Sequence, residues 1–283
     1  MDNLGVILCW YLPRCLSQGR QVGAFPAECF QKLQQLRYPL QSIIWNCEEY
    51  IQPFFKGGKE DGNWRNLDIF FKPRADCISS DPGLVTFSPG WFEQACDLST
   101  ILWMIIIWLI THPSRVQLTI QSHLPLSGRK LMDISESSTL LSSIVRVIHP
   151  KLYAMGMETI KKMGMAASPP EVLQLRYSIF NGVQIISNRE TPVHRDHNTR
   201  WEWYDLLTTV GPYQQAILEF PGVGLKFSYE SGTVLGICGR LIRHGVSKAD
   251  GERMCVAYFM RENVQNRMET KYLSWNNWDS YRN

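Results

Sequence analysis

Apolar and polar positions follow two different periods in the two halves of the chain. In residues 26–36, Phe30, Leu33 and Leu36 recur at helical spacing. Residues 137–149 and 151–163 carry the same spacing, and Pro150 between them predicts two helices rather than one. Residues 57–63 are glycine-rich and predict a loop, and 64–71 lead from it into Lys72-Pro73. From Val172 the texture changes. Residues 172–180, 183–186, 215–220, 225–229, 233–238 and 254–260 read as strands. Asn181-Gly182, Pro221-Gly222 and Ser231-Gly232 separate several of them, and 187–192 reads as a turn. Short strands punctuated in this way predict a compact β sandwich or jelly roll.

The expected fold class is therefore α+β: a jelly-roll core buttressed by helices from the N-terminal half. We expect one domain over 1–283, with a mixed, helix-rich buttress at 1–170, the β core at 171–263 and a C-terminal tail at 264–283. Ser168-Pro169-Pro170 marks the junction but is too short for a linker between domains.

Composition narrows the class only modestly. A chain of 283 residues can bury a large core, and 12% aromatic content excludes wholesale disorder. The net charge of +3 permits an acidic partner without demanding one. Eight cysteines are present with no C-x-x-C spacing, so a zinc module is not expected. Residues 5–12 lack the basic flank and length of a secretory signal, and an intracellular location with reduced thiols is expected. Residues 101–110 are ten apolar residues in a row, about half of what a membrane-spanning helix needs. No membrane association and no obligate protein partner are expected.

Candidate chemistry centres on His194 and Asp196, two residues apart in Pro192-Val193-His194-Arg195-Asp196. On a strand, that spacing sends both side chains to one face. Forty-eight residues later, His244 follows the strand-like run 232–238 and Gly239. Nine residues further on, Arg253 opens the apolar run 254–260. Two histidines and a carboxylate can occupy one face of an octahedral Fe(II) and leave three positions open. An arginine beyond the second histidine can clamp the far carboxylate of a keto-diacid with a two-pronged hydrogen bond. An H-x-D alone arises readily by chance, and its force comes from the ordered set of strand, second histidine and arginine.

This arrangement resembles the non-haem Fe(II)/2-oxoglutarate dioxygenases of double-stranded β-helix fold. Within them, His194-Arg195-Asp196-His197-Asn198 resembles the TET/JBP oxygenases, which oxidise the methyl group of a modified DNA base. The missing cysteine-rich module is similar to the shorter fungal members, and Phe87-Ser88-Pro89-Gly90-Trp91-Phe92 is a lesser likeness to them. The resemblance implies that His194, Asp196 and His244 hold Fe(II) and that Arg253 binds 2-oxoglutarate. Six and eight residues past Arg253, Phe259 and Arg261 fall where the family stacks on the flipped base and binds its edge. Asn198 is a further candidate base reader. Parity along the last strand places Arg253, Phe259 and Arg261 on one face and Tyr258 on the other, as packing.

The implied partner is duplex DNA with a methylated base flipped out of the stack, with 5-methylcytosine favoured, and the implied location is nuclear. The residues leave open N6-methyladenine, RNA or a non-nucleic-acid substrate, and also a barrel that binds without catalysis. Arg189, Arg195 and Arg200 are candidate backbone contacts, Arg176 and Arg261 are alternative clamps, and Trp201, Trp203 and Tyr204 line either a groove or the core.

Overall fold

The computed structural model describes residues 6–16, 64–78, 82–87, 135–166, 178–197 and 199–277. The expected helix at 26–36, the loop at 57–63, the apolar run at 101–110, Ser88–Phe92, Arg176 and Asn198 lie outside the described residues, as does the greater part of the strand expected at 172–180. Its last three residues, 178–180, are not in a strand.

Among the described residues, ten strands form two antiparallel sheets. They are β1 (Cys9–Leu12), β2 (Gly83–Phe87), β3 (Gly182–Ser187), β4 (Thr191–His194), β5 (Asp205–Val210), β6 (Ile217–Phe220), β7 (Leu225–Ser228), β8 (Val234–Ile237), β9 (His244–Val246) and β10 (Met254–Phe259). One sheet has the order β1-β8-β5-β10-β3-β2 and the other β4-β9-β6-β7. From β3 to β10 the chain passes between the sheets so that neighbours in space are distant in sequence. That is the double-stranded β-helix, or jelly roll.

The helices follow from their apolar stripes. In α1 (Ser135–Ile148), Ser138, Leu141, Ser142, Val145 and Ile148 are buried, which is one helical face. In α2 (Pro150–Ala166) the buried stripe is Leu152, Met155, Thr159 and Met163. Pro150 is the first residue of α2, where its missing N–H costs nothing. His149 caps that helix: its Nδ1 accepts the Leu152 N–H at 3.3 Å.

The apolar residues of the α1 stripe and Leu152 and Met155 of α2 lie on the outer face of the six-stranded sheet, against Leu206, Val210, Val234, Met254, Val256 and Tyr258. Residues of the other parity, including Leu207, Leu235 and Ile237, turn between the sheets and pack on Leu218, Phe220 and Val246. Gly156 lets α2 approach closely, since a Cβ there would lie 2.6 Å from Met260 Cε and 2.8 Å from the Ile179 carbonyl.

Residues 264–277 are packed against the body. Helix α3 (Glu262–Arg267) sets Val264 and Met268 on Met163 of α2. Further on, the Asn276 amide donates to the Ile148 carbonyl at 2.8 Å. No helix among the described residues is long and apolar enough to cross a membrane.

Candidate iron and cosubstrate site

His194 is the last residue of β4 and His244 the first of β9, and the two are register partners, so the strand pair itself sets the imidazoles side by side. Their ring centroids are 4.4 Å apart. Asp196 lies beyond the end of β4, so strand parity does not place it. Its backbone N–H donates to the Gly239 carbonyl at 3.0 Å, which folds the carboxylate back toward the histidines. Asp196 Oδ1 lies 3.4 Å from His194 Nε2 and Oδ2 lies 3.4 Å from His244 Nε2. One ligating atom from each of the three falls within 4.8 Å of the others.

Both histidines are oriented by the same device. Nδ1 of His194 meets the Pro192 carbonyl at 2.8 Å, and Nδ1 of His244 meets the Ile242 carbonyl at 2.9 Å. A carbonyl only accepts, so each Nδ1 carries the proton and donates it. Each Nε2 then faces the common point: in the metal-free protein an Nε2 proton can be donated to the Asp196 carboxylate, and once that proton leaves, the lone pair is what a divalent metal requires.

The electrostatics agree. Burial works to raise the Asp196 carboxyl, but hydrogen bonds from His194 and His244 outweigh it and hold it well below the usual carboxylate range. Burial lowers His244, yet the Asp196 carboxylate drives it above its ordinary value. Three groups that stabilise one another only when positive charge sits between them suit a cation. Gly239 makes room for them: a Cβ there would lie 2.6 Å from Asp196 Oδ2 and 2.8 Å from Oδ2 of Asp205. Asp205 is buried, and its burial and the Asp196 charge push its carboxyl well above the usual range. No sequence signal marked Asp205, which simply opens a strand.

Arg253 stands just before β10 and is buried. Asn188, in the left-handed conformation with φ 52°, holds its backbone from both sides. The Arg253 N–H donates to Asn188 Oδ1 at 2.9 Å, and the Asn188 N–H donates to the Arg253 carbonyl at 2.8 Å. Nη2 donates to the Arg189 carbonyl at 2.8 Å. Nη1 and the nearby Tyr229 hydroxyl are buried with no hydrogen-bond partner among the described residues. The Arg253 Cζ lies 5.9 Å from the Tyr229 ring. Burial drives the Tyr229 hydroxyl well above its ordinary value, so it stays a donor. The Cys255 thiol, a weak acceptor, lies against both groups, and a carboxylate would be a far stronger partner for a buried guanidinium nitrogen and hydroxyl. A cavity of about 90 Å³ lies beside Arg253, lined also by Phe70, Phe71, Lys72 and Lys248; Tyr229, His194, Asp196 and His244 are not among its lining residues.

These residues match one known family. The family model of Tet_JBP, the oxygenase domain of the 2OGFeDO superfamily, matches residues 112–262, just over half of the chain. This chain belongs to the Tet_JBP family. As a Tet_JBP oxygenase it is an Fe(II)- and 2-oxoglutarate-dependent dioxygenase. The match begins some 60 residues before Val172, where the strand-like texture begins.

Among solved structures, NgTET1 in complex with 5mC DNA is similar at 13% identity and a TM-score of 0.39, over 87% of this chain and 97% of that one. A viral collagen prolyl hydroxylase from Paramecium bursaria Chlorella virus-1, bound to 2OG, is similar at 13% identity and a TM-score of 0.23, over 28% of this chain and 57% of that one. No curated protein matches the chain.

The remaining sequence candidates scatter. Phe259 is half-buried, and its ring lies against Gly182, where a Cβ would come within 2.2 Å of it. The Arg261 guanidinium covers the ring at 5.1 Å. Trp203 and Tyr204 are core residues, whereas Trp201 is 43% exposed with Arg240 stacked on it at 4.6 Å. Arg189 is buried beside Arg253 and is no surface contact, and burial lowers its pKa to about 10. Arg200 is engaged by Glu202 and Glu262 at 2.7 and 2.8 Å. Arg195 is exposed.

Sequence reasoning missed the 3-10 turn Trp64–Asn66. It roofs the triad, with the Trp64 ring 4.7 Å from the His194 ring and Arg65 Nη2 3.2 Å from Asp196 Oδ1. The run Trp-Arg-Asn has no periodicity that could have marked it.

Proposed function

We propose that this oxygenase oxidises the methyl group of a modified base in DNA, with 5-methylcytosine favoured. His194, Asp196 and His244 are assigned as the iron ligands. Arg253 is assigned to the far carboxylate of 2-oxoglutarate, with Tyr229 as a second donor. Bound there, Fe(II) and 2-oxoglutarate supply the oxidising power that turns a methyl C–H into C–OH at the expense of dioxygen.

The observation that carries the reading is the order of residues along the barrel. The turn between β3 and β4 holds Arg253 through Asn188. His194 and Gly182 lie at the other ends of those two strands, and Gly182 is the register partner of Phe259. The register of Leu206 with Tyr258 brings Asp205, which shares Gly239 with Asp196, next to Phe259. The cosubstrate clamp is therefore at one end of the inner face and an aromatic ring at the metal end.

A base stacked on Phe259 would take the ring face that Arg261 now covers, and Arg261 would swing to its edge. Asn198 is a third candidate for that edge. Such a base must leave the duplex, at a cost of a few kcal/mol. Arg195 and Arg243 flank the paired ligand histidines, are exposed, and have no ion-pair partner among the described residues, so they suit backbone phosphates. A DNA substrate implies a nuclear location.

Mass spectrometry of nucleosides from treated oligonucleotides tests the proposal. Iron-loaded protein is expected to convert 5-methylcytosine in a duplex to 5-hydroxymethylcytosine. Oxidation of N6-methyladenine instead would overturn the choice of base. Succinate release on some other substrate, with neither base touched, would reject nucleic acid and spare the iron chemistry.

A further inference from the structure

The Trp64–Arg65 turn belongs to no strand of the barrel, yet it reaches the ligand carboxylate. Main-chain bonds tie the stretch that carries it to the β3–β4 turn. The Lys72 N–H donates to the Asn188 carbonyl at 2.8 Å, and the Glu190 N–H donates to the Phe70 carbonyl at 2.8 Å. Arg189 Nη1 donates to the Arg65 carbonyl at 3.1 Å. The Trp64 ring then carries two guanidinium groups, Arg65 at 4.6 Å and Arg189 at 5.0 Å, while standing against the His194 ring. Arg65 is thereby aimed at Asp196 Oδ1, the oxygen that also faces His194 Nε2 at 3.4 Å, while Oδ2 faces His244 Nε2 at 3.4 Å.

We propose that Arg65 is a positioning residue of the iron centre: its hydrogen bond to Oδ1 of Asp196 fixes the orientation of the carboxylate between His194 and His244 and disfavours the use of both oxygens at the metal. This rests on the assignment of His194, Asp196 and His244 as ligands. A carboxylate free to use both oxygens would take a second coordination position, one that cosubstrate or dioxygen needs. A hydrogen bond from a guanidinium to one of the oxygens opposes this and orients the ligand. Lysine cannot copy the contact fully, because its ammonium lacks the planar fork and would not stack on Trp64 in the same way.

The test is Mn(II) binding, followed by electron paramagnetic resonance, and the visible spectrum of the Co(II)-loaded protein, for wild type, Arg65→Met and Arg65→Lys. Arg65→Met is expected to weaken Mn(II) binding by about 10-fold or more, the usual effect of removing a partner of a ligand. It should also alter the Co(II) bands, and Arg65→Lys should fall between. Arg65 is half-exposed, so the melting temperature of the metal-free protein should stay close to wild type; if Arg65→Met does not fold, the loss in Arg65→Lys carries the test. Unchanged affinity and spectrum, or tighter binding because Arg65 competes with the metal, would overturn the proposal. His244→Ala serves as the control. Wild type that binds no more Mn(II) than His244→Ala would overturn the ligand assignment itself and this proposal with it.

Discussion

The two faces of the six-stranded sheet are built to different ends. The outer face presents Leu206, Val210, Met254, Val256 and Tyr258 to α1 and α2, and all are buried. The polar tip of Tyr258 there meets Ser138 Oγ at 3.2 Å. Thr208 leaves one hydroxyl without a partner on that face, a small cost. The inner face presents Asp205, Thr209, Arg253 and Cys255, also buried, and the half-buried Phe259. Here the unmatched groups are a guanidinium nitrogen of Arg253 and a carboxylate oxygen of Asp205. The groups left over on the outer side are neutral ones, the Thr208 hydroxyl with His149 Nε2 and Trp203 Nε1 in the layer packed on it. The inner face holds a charged guanidinium and a buried carboxyl group with polar atoms unpartnered among the described residues, and this distinguishes a scaffold from a site.

Substitutions on the two faces should separate folding from chemistry. The largest effect is expected of Asp196→Ala, which should abolish metal uptake and reduce turnover to background while the metal-free protein keeps its fold. Calorimetric titration with Mn(II) beside a thermal melt checks both halves; retained metal binding would break the comparison.

Leu206→Ala on the outer face should do the reverse. A fully buried leucine truncated to alanine costs about 2–5 kcal/mol. Denaturant unfolding should register that loss, and Mn(II) affinity of the folded fraction should stay at the wild-type level.

His149, beneath the outer face, gives a pH test. Burial lowers its pKa to about 4 from an ordinary 6.5. The unfolded chain therefore binds a proton between these values that the folded chain does not. The contribution is fully present above pH 6.5 and is lost as pH falls toward about 4, amounting to roughly 3 kcal/mol. Melting temperature measured across this window should fall steeply in wild type and less in His149→Asn, which can still cap α2 but does not titrate. Parallel slopes would assign the loss to other groups.

The smallest effect is expected at the metal end of the inner face. Phe259→Ala should remove base stacking worth about 1–3 kcal/mol, lowering turnover on DNA severalfold or more. The slow decay of 2-oxoglutarate without substrate should continue. Equal loss of both would make Phe259 a structural residue.

The outer face was the more legible in sequence. Leu141, Val145, Leu152 and Met155 recur at helical spacing, and the helices expected at 137–149 and 151–163 are found at Ser135–Ile148 and Pro150–Ala166. Strand β5 was not legible, because Leu206, Thr208 and Val210 face the helices while Leu207 and Thr209 face the other sheet, and burial on both sides erases alternation. Strand β1 was hidden by its length; it adds to β8 at one edge. At the site, the parity of β10 placed Arg253 and Phe259 on the face opposite Tyr258. The spacing of His194 and Asp196 pointed to convergence for a reason that differs from the actual one, a hydrogen bond to Gly239. Arg65, Arg189 and Asp205 reach the site through tertiary contacts that no local pattern records.

The most direct test of an inner face built for iron and a dicarboxylate is an anaerobic titration of 2-oxoglutarate into the Fe(II)-loaded protein. Its readout is the visible charge-transfer absorption of the metal–keto-acid complex. Wild type is expected to bind one equivalent per chain, with the band absent in Asp196→Ala. In Arg253→Ala the band should need at least about 30-fold more 2-oxoglutarate, since a buried carboxylate would lose its charged partner. Saturation of Arg253→Ala at the wild-type concentration, or an undiminished band in Asp196→Ala, would contradict the assignment of this face as the active site.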